Sequence, residues 1–257
     1  MNAARRPLVA ANWKLHGSLR FAGDWARDFL RRAPPAEVEV LVCPAFVHIA
    51  HLARALEGSG VAVGAQNISE HRDGAFTGEV SAAMLKELGC DYVLVGHSER
   101  RLIYRESDEQ IAGKLRAAAA AGLKPVLCVG ETLDQRRADE TREVLRRQLD
   151  AAAPVLSGLA ADAFVIAYEP VWAIGTGETA APEQAQQAHA FIRDRLGGLA
   201  GGRAEGVRVV YGGSVKTDNA ASLFQMNDVD GGLVGGASLK AEAFADICRA
   251  APPPEHD

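Results

Sequence analysis

Three side chains of the 257-residue sequence have types and positions suited to proton transfer: Lys14, His97 and Glu169. Glu169 follows the apolar run Phe164-Val-Ile-Ala-Tyr, so its carboxylate should be partly desolvated, which raises its proton affinity and suits a general base. Lys14 supplies a cation in a chain of formal net charge −5, and a local cation there would attract an anionic molecule. Each residue also has a simpler interpretation: Lys14 as a solvated surface lysine, His97 as a structural histidine and Glu169 as a member of an ion pair.

Two glycine-rich groups could hold that anion. Gly212-Gly213-Ser214 and Gly235-Gly236 each follow a late apolar run. Glycine lets backbone N–H groups approach an anion closely, and the Ser214 hydroxyl adds another donor. The alternative is that these are ordinary loop glycines, but two such groups at the ends of successive runs favour a phosphate site.

Eight apolar runs precede these residues, and we expect each to form a strand. Helical spacing separates them: Ala22, Trp25, Ala26 and Phe29 lie on one face of a predicted helix, and Ser107 with Gln110 forms a capping box before another. The predicted strands are Leu8 to Lys14, Val38 to Pro44, Val61 to Asn67, Tyr92 to His97, Lys124 to Glu131, Phe164 to Pro170, Val207 to Gly213 and Gly231 to Gly236.

The alternation predicts an α/β fold. The strands are rich in Val, Ile and Leu without polar alternation, as expected when both faces of a parallel sheet are buried. Eight βα units in about 250 residues favour one closed (β/α)₈ barrel domain over residues 1–257, with its core at about residues 7–249. An open, doubly wound sheet remains possible, because periodicity does not show closure. In a barrel, the strand ends would gather the candidate residues at one face.

Composition excludes several classes of protein. The longest stretch without Lys, Arg, Asp or Glu, Val40 to Ala53, is shorter than the roughly 18 apolar residues of a membrane span, and the N-terminus is a poor signal peptide. The acidic balance and the lack of a long basic run argue against nucleic-acid binding. The four cysteines have neither CxxC pairing nor metal-ligand spacing, which predicts reduced thiols in a cytoplasmic protein.

The segment after Glu169 is typical of a lid. It reads Pro170-Val171-Trp172-Ala173-Ile174-Gly175-Thr176-Gly177, with an apolar middle between a proline and a Gly-Thr-Gly end. Such a loop can close over a site and exclude water. Gly175 to Ala180 also matches the GxGxxG/A dinucleotide pattern, but it lies too late in the chain and too far beyond its strand.

Five strings resemble the triosephosphate isomerase family, in the family's order and spacing from about Pro7 to Cys248. The segment Glu169 to Gly177 is close to diagnostic by itself. The strings are Asn12-Trp13-Lys14, Gly96-His97-Ser98-Glu99-Arg100-Arg101, Ala167 to Gly177, Tyr211-Gly212-Gly213-Ser214-Val215 and Gly235-Gly236-Ala237-Ser238-Leu239.

The resemblance implies a TIM barrel that interconverts dihydroxyacetone phosphate and D-glyceraldehyde 3-phosphate in glycolysis and gluconeogenesis, without metal or organic cofactor. Glu169 would move the proton through an enediolate, and His97, as a neutral imidazole, would polarise the carbonyl. Lys14 and Asn12 would stabilise charge on the substrate oxygens, with Glu99 in support. Gly175, Ser214, Gly235 and Gly236 would hold the phosphate. The alternatives left open are another sugar-phosphate barrel enzyme and a non-catalytic sugar-phosphate-binding protein.

The resemblance also implies a homodimer. Residues Asn67 to Ser81 form a long βα connection, and in the family this loop, here with Phe76, Thr77, Gly78 and Glu79, reaches into the partner's pocket near the catalytic lysine. A mobile surface insertion is the alternative. The chain departs from the family pattern at Ala11 and at Leu15-His16, and a titratable His16 beside Lys14 could make assembly or activity sensitive to pH.

Overall fold

Eight parallel strands close into a barrel in the computed structural model, which describes residues 5–174, 179–200 and 204–252. Each strand pairs with the next along the chain, and β1 also pairs with β8, Leu8 lying opposite Gly231. The predicted (β/α)₈ barrel is therefore confirmed, and the open sheet is excluded. The strands are β1 (Leu8–Asn12), β2 (Glu39–Cys43), β3 (Ala62–Ala65), β4 (Tyr92–Val95), β5 (Lys124–Val129), β6 (Val165–Tyr168), β7 (Arg208–Tyr211) and β8 (Gly231–Val234).

Helices follow the strands around the outside of the barrel. They are α1 (Leu19–Leu30), α2 (Ile49–Ala55), α3 (Ala82–Glu87), α4 (Ser98–Leu102), α5 (Asp108–Ala120), α6 (Leu133–Arg137), α7 (Thr141–Leu156), α8 (Pro182–Ala200), α9 (Ala220–Phe224) and α10 (Ala241–Arg249). The predicted stripe of α1 is buried, and the capping box of Ser107 and Gln110 opens α5. Within the described ranges, no helix has both the length and the apolar character that crossing a membrane requires.

Every strand ends one or two residues before its predicted end, so those bounds were wrong at the functional edge. β4 ends at Val95 because Gly96 turns the chain with a φ of +70°, a value that favours glycine. β6 ends at Tyr168, two residues before Pro170, which has no N–H to donate to a ladder. His97 and Glu169 therefore lie in loops directly beyond rigid strands.

The barrel core explains why the strands read as continuous apolar runs. Alternate residues of each strand face inward, as Leu8 and Ala10 do in β1, while Val9 and Ala11 face the helices. Both sets are fully buried. Because neither face of the sheet contacts water, polar alternation is absent and the strand ends are held by packing on both sides.

Candidate active site

The strand ends converge on a cavity of about 330 Å³. It is lined by the predicted catalytic and phosphate-binding residues Asn12, Lys14, His97, Glu169, Ser214, Gly235 and Gly236, together with Gly212 and Gly213 of the first glycine-rich group and Ile174 of the predicted lid. Its wall also contains Leu233 of β8 and the exposed Lys216, which the sequence analysis did not single out. Lys216 places a second cation beside the glycine groups. Its position two residues after Ser214 is the sequence signal that could have identified it.

Backbone contacts hold Lys14 in an unusual conformation. Its φ of +52° is uncommon for a residue with a side chain. The Lys14 N–H donates to Asn12 Oδ1 (3.1 Å), and the Gln66 side-chain amide donates to the Lys14 carbonyl (2.9 Å) and to Cys43 (3.0 Å). Gln66 was not predicted to belong to the site. These bonds direct the ammonium of Lys14 into the cavity, with Nζ 2.6 Å from Glu99 Oε1.

His97 begins α4 as its N-cap residue. Its Nδ1 accepts a hydrogen bond from the backbone N–H of Glu99 at 3.2 Å, so in the neutral ring the proton lies on Nε2. Nε2 faces the cavity and lies 2.9 Å from Glu169 Oε1. The imidazole is therefore fixed in orientation by the first turn of α4.

The Glu169 carboxylate is 2% exposed and is held away from solvent by close backbone packing. Its Oε2 accepts the backbone N–H of Ser98 at 2.7 Å. A Cβ at position 212 would lie 2.9 Å from Glu169 Cγ, and one at position 130 would lie 1.8 Å from its carbonyl oxygen. Gly130 and Gly212 thus permit the approach of neighbouring strand ends around this glutamate.

The expected increase in the proton affinity of Glu169 is wrong for this arrangement. Burial raises the pKa of Glu169, but His97, the Ser98 N–H and Lys14 all favour the carboxylate, and the balance lowers its pKa from 4.5. Glu169 is therefore ionised here, as a general base must be before it takes a proton.

His97 shows the complementary effect. Burial lowers the pKa of His97, whereas Glu169 and then Glu99 raise it, and the balance lies above the ordinary 6.5. The expected neutral imidazole is thus not favoured while Glu169 lies against Nε2. Since that carboxylate is the largest favourable contribution to the protonated ring, moving it away would favour the neutral form.

Gly235 and Gly236 lie in a turn with an unusual backbone conformation. Gly235 has φ −85° and ψ −112°, outside the ordinary helical and extended regions, and its carbonyl accepts both the N–H (2.9 Å) and the hydroxyl (2.6 Å) of Ser238. A 3₁₀ turn covers Gly236–Leu239. On the opposite side, the backbone N–H of Ser214 donates to Ala173 of the predicted lid at 3.1 Å. Of the predicted phosphate ligands, Gly175 lies outside the described residues.

The described part of the predicted lid, residues 170–174, is attached to a buried carboxylate. Val171–Ala173 form a 3₁₀ turn. Glu131, which is fully buried, accepts Trp172 Nε1–H (3.0 Å) and the Tyr168 hydroxyl (3.1 Å), and its carbonyl accepts the Val171 N–H. The sequence placed Glu131 at a strand end without a role. Thr176 and Gly177, with most of the GxGxxG-like pattern, lie outside the described residues.

The predicted dimer loop projects from the barrel after β3. Phe76 stacks on His71, with ring centroids 3.7 Å apart, and the Glu79 N–H donates to the Phe76 carbonyl. Phe76, Thr77, Gly78 and Glu79 are all exposed. Other large apolar side chains near the ends of β1, β2 and β4 are exposed as well: Leu15, Val47, Ile103 and Tyr104.

Comparison with known proteins identifies similar sequences over almost the whole chain. The sequence model of the family Triosephosphate isomerase matches residues 7–251. A protein named Triosephosphate isomerase from Thiobacillus denitrificans is 55% identical over 247 residues, covering 96% of this chain and 99% of that protein. Proteins of the same name from Alkalilimnicola ehrlichii and Dechloromonas aromatica are 53% and 51% identical, covering 97% and 96% of this chain and 100% and 99% of theirs.

Proposed function

The chain belongs to the triosephosphate isomerase family, and we propose that it interconverts dihydroxyacetone phosphate and D-glyceraldehyde 3-phosphate. The observation that carries this proposal is the arrangement around one cavity of a base, an imidazole, a cation and a glycine turn, at Glu169, His97, Lys14 and Gly235. A small phosphorylated carbonyl compound needs all four, because a proton must move while a dianionic group is held still.

Glu169 takes the proton from the carbon next to the substrate carbonyl. The C–H electron pair becomes the carbon–carbon double bond of an enediolate, and the carbonyl π electrons move to oxygen. The same carboxylic acid then returns the proton to the neighbouring carbon, so the reaction consumes no cofactor. To reach the substrate, the carboxylate must leave its contacts with His97 Nε2 and the Ser98 N–H.

This movement prepares His97 for its role. Without Glu169 beside Nε2, burial and Lys14 favour the neutral ring, and the Glu99 N–H at Nδ1 keeps the proton on Nε2. Nε2–H then donates to the substrate carbonyl oxygen and shuttles the hydroxyl proton. Glu99 still favours the protonated ring, but its effect is smaller than that of Glu169.

Lys14 and Asn12 stabilise the negative charge that develops on the substrate oxygens. The Lys14 backbone is fixed by its bonds to the side chains of Asn12 and Gln66, so little reorganisation of the backbone accompanies charge development. Glu99 lies 2.6 Å from this ammonium and is its supporting partner.

The phosphate binds to backbone N–H groups of Gly235 and Gly236, with Ser214 and Gly175 completing the site when the lid closes. Closure excludes water and protects the enediolate from losing its phosphate. Opening and closing pivot near residues 170–174, where Trp172 is attached to Glu131.

We further propose a homodimer, formed by the loops that follow the first four strands. The exposed Leu15, Val47, Phe76 and Ile103 give these loops an apolar surface, of the kind that marks a protein interface. The family resemblance supports this proposal, because it implies that the loop with Phe76, Thr77, Gly78 and Glu79 reaches into the partner's pocket near Lys14. The chain acts as a single domain.

The proposed location is the cytoplasm, with no membrane or nucleic-acid partner, and the proposed role is in glycolysis and gluconeogenesis. Cys43, Cys90, Cys128 and Cys248 are all buried thiols without disulfides, which supports a reducing compartment.

The reaction is tested by incubating the purified protein with D-glyceraldehyde 3-phosphate in D₂O and following the products by ¹H NMR. We expect dihydroxyacetone phosphate carrying deuterium at carbon 1, because the proton on Glu169 exchanges with solvent before it returns. Conversion without any deuterium would contradict the exchange of the Glu169 proton with solvent. Phosphate binding without conversion would instead identify a binding protein, and turnover of only a different sugar phosphate would identify another barrel enzyme.

A further inference from the structure

The indole of Trp25 in α1 contacts two parts of the proposed site, the Asn12 to Lys14 segment and the glycine turn, without lining the cavity. Trp25 is 3% exposed, and its Nε1–H donates to the backbone carbonyl of Ser238 at 2.9 Å. Ser238 is itself fully buried. The donor and acceptor are 213 residues apart in sequence, so this bond links the first helix to the turn that follows β8.

Ser238 shapes the glycine turn directly. Its N–H and its hydroxyl both donate to the Gly235 carbonyl, and this places Gly235 in its unusual conformation. The Ser238 carbonyl is left for a donor from another element, and Trp25 supplies it. The turn that presents the Gly235 and Gly236 backbone is thus closed by Ser238, and the indole holds the carbonyl of that same serine.

The ring of Trp25 is fixed by other aromatic side chains. It stacks on Phe29 at a centroid distance of 4.8 Å and 13° between planes, and it meets Trp13 edge-on at 5.2 Å. Trp13 lies between Asn12 and Lys14 in the chain. A single rigid side chain therefore contacts the Asn12 to Lys14 segment through its ring and the glycine turn through its N–H.

We propose that Trp25 is a positioning residue for phosphate binding, which acts by holding the Ser238 carbonyl and through it the Gly235 and Gly236 backbone. This inference rests on the proposed role of the glycine turn in binding the substrate phosphate. Trp25 does not line the cavity and touches no substrate. Its effect is on the binding of the phosphate group and not on proton transfer.

Trp25→Phe removes the N–H donor and keeps an aromatic ring in the cluster. We expect the dissociation constant for inorganic phosphate, measured by calorimetry, to rise about three- to tenfold, because a buried carbonyl loses its donor and the turn relaxes. The KM for D-glyceraldehyde 3-phosphate should rise by a similar factor with kcat within about twofold, since the lost interaction is uniform in ground and transition states. Turnover of D-glyceraldehyde, which has no phosphate, should be unchanged.

Phe29→Leu is the matched control, because it disturbs the same cluster in the same helix and leaves the indole donor in place. We expect it to lower the melting temperature without weakening phosphate binding. Equal phosphate affinity in the parent and a folded Trp25→Phe, or equal weakening in both variants, would overturn the proposal. Calorimetry needs no turnover, so an inactive parent that binds phosphate would refute the proposed reaction and leave this test intact.

Discussion

His97 Nε2 lies 2.9 Å from Glu169 Oε1, so the proposed base and the proposed electrophile are in direct contact in the wall of the cavity. The contact explains why the pKa of Glu169 is lowered and that of His97 is raised, although burial opposes both shifts. The contact favours the charged form of each group, and in the proposed mechanism the substrate separates the two groups. In the proposed mechanism the carboxylate then accepts a proton, and the imidazole returns towards its neutral form.

The contact makes stability depend on pH. Because the pKa of Glu169 is lowered from 4.5, its stabilising effect is present above 4.5 and is lost as pH falls through the folded-state value. Because the pKa of His97 is raised from 6.5, its effect is present below 6.5 and is lost as pH rises through the folded-state value. The pair therefore stabilises the fold most between about pH 4.5 and 6.5.

Glu169→Gln should accordingly lower the free energy of unfolding more at pH 5.5 than at pH 9, measured by urea unfolding. The stabilising effect of the protonated His97 is lost as pH rises through its folded-state pKa, so less attraction remains in the parent at the higher pH and less is lost on substitution. A destabilisation that is equal at both pH values, or larger at pH 9, would show that the pair is not coupled as described. His97→Gln, the reciprocal variant, should show the same pH trend.

Glu131 should be essential for stability although it takes no part in the proposed proton transfer. Glu131→Ala leaves the Tyr168 hydroxyl, Trp172 indole and Arg136 guanidinium without their shared acceptor. We expect a loss of about 3 kcal/mol in the free energy of unfolding, typical of breaking a buried charged network. The exposed Glu57→Ala is the control and should change it by less than about 0.5 kcal/mol. Similar effects for both variants would contradict this role.

The sequence predicted the elements that position the site better than it predicted the contacts within it. His97 and Glu169 were identifiable because each follows an apolar run, and the carboxyl ends of parallel strands meet at one face of a barrel. The predicted strands were too long at their C-terminal ends. Turns such as the one at Gly96 depend on the backbone angle φ, and the hydrophobic pattern gives no information on φ.

Contacts between distant residues were not predictable in the same way. The pKa of Glu169 follows from the approach of His97 and Ser98, 71 residues away in the case of Ser98, and desolvation alone gives the opposite sign. Trp25 was correctly placed on a buried helix face, but the periodicity of α1 carries no information on where its N–H points. Gln66 and Glu131 act through similar bonds to other loops.

The proposed dimer depends on the loop after β3. Phe76→Asp places a charge at the tip of that loop, and we expect the protein to sediment as a monomer with strongly reduced activity, because burying an unpaired charge is costly. Leu133→Asp is the matched control, since Leu133 of α6 and Phe76 are both 42% exposed. It should remain dimeric. A parent that sediments as a monomer, or dissociation caused equally by both variants, would contradict the proposed interface.

The role of Glu169 as the base is tested most directly by the kcat of Glu169→Gln with D-glyceraldehyde 3-phosphate, alongside calorimetry of phosphate binding to show that the site is intact. Glutamine keeps the shape of the side chain but accepts no proton. We predict that kcat falls about 10²- to 10⁴-fold, the range attributed to a positioned acid–base group, while phosphate affinity is retained. A kcat within tenfold of the parent in a folded, phosphate-binding variant would contradict the account.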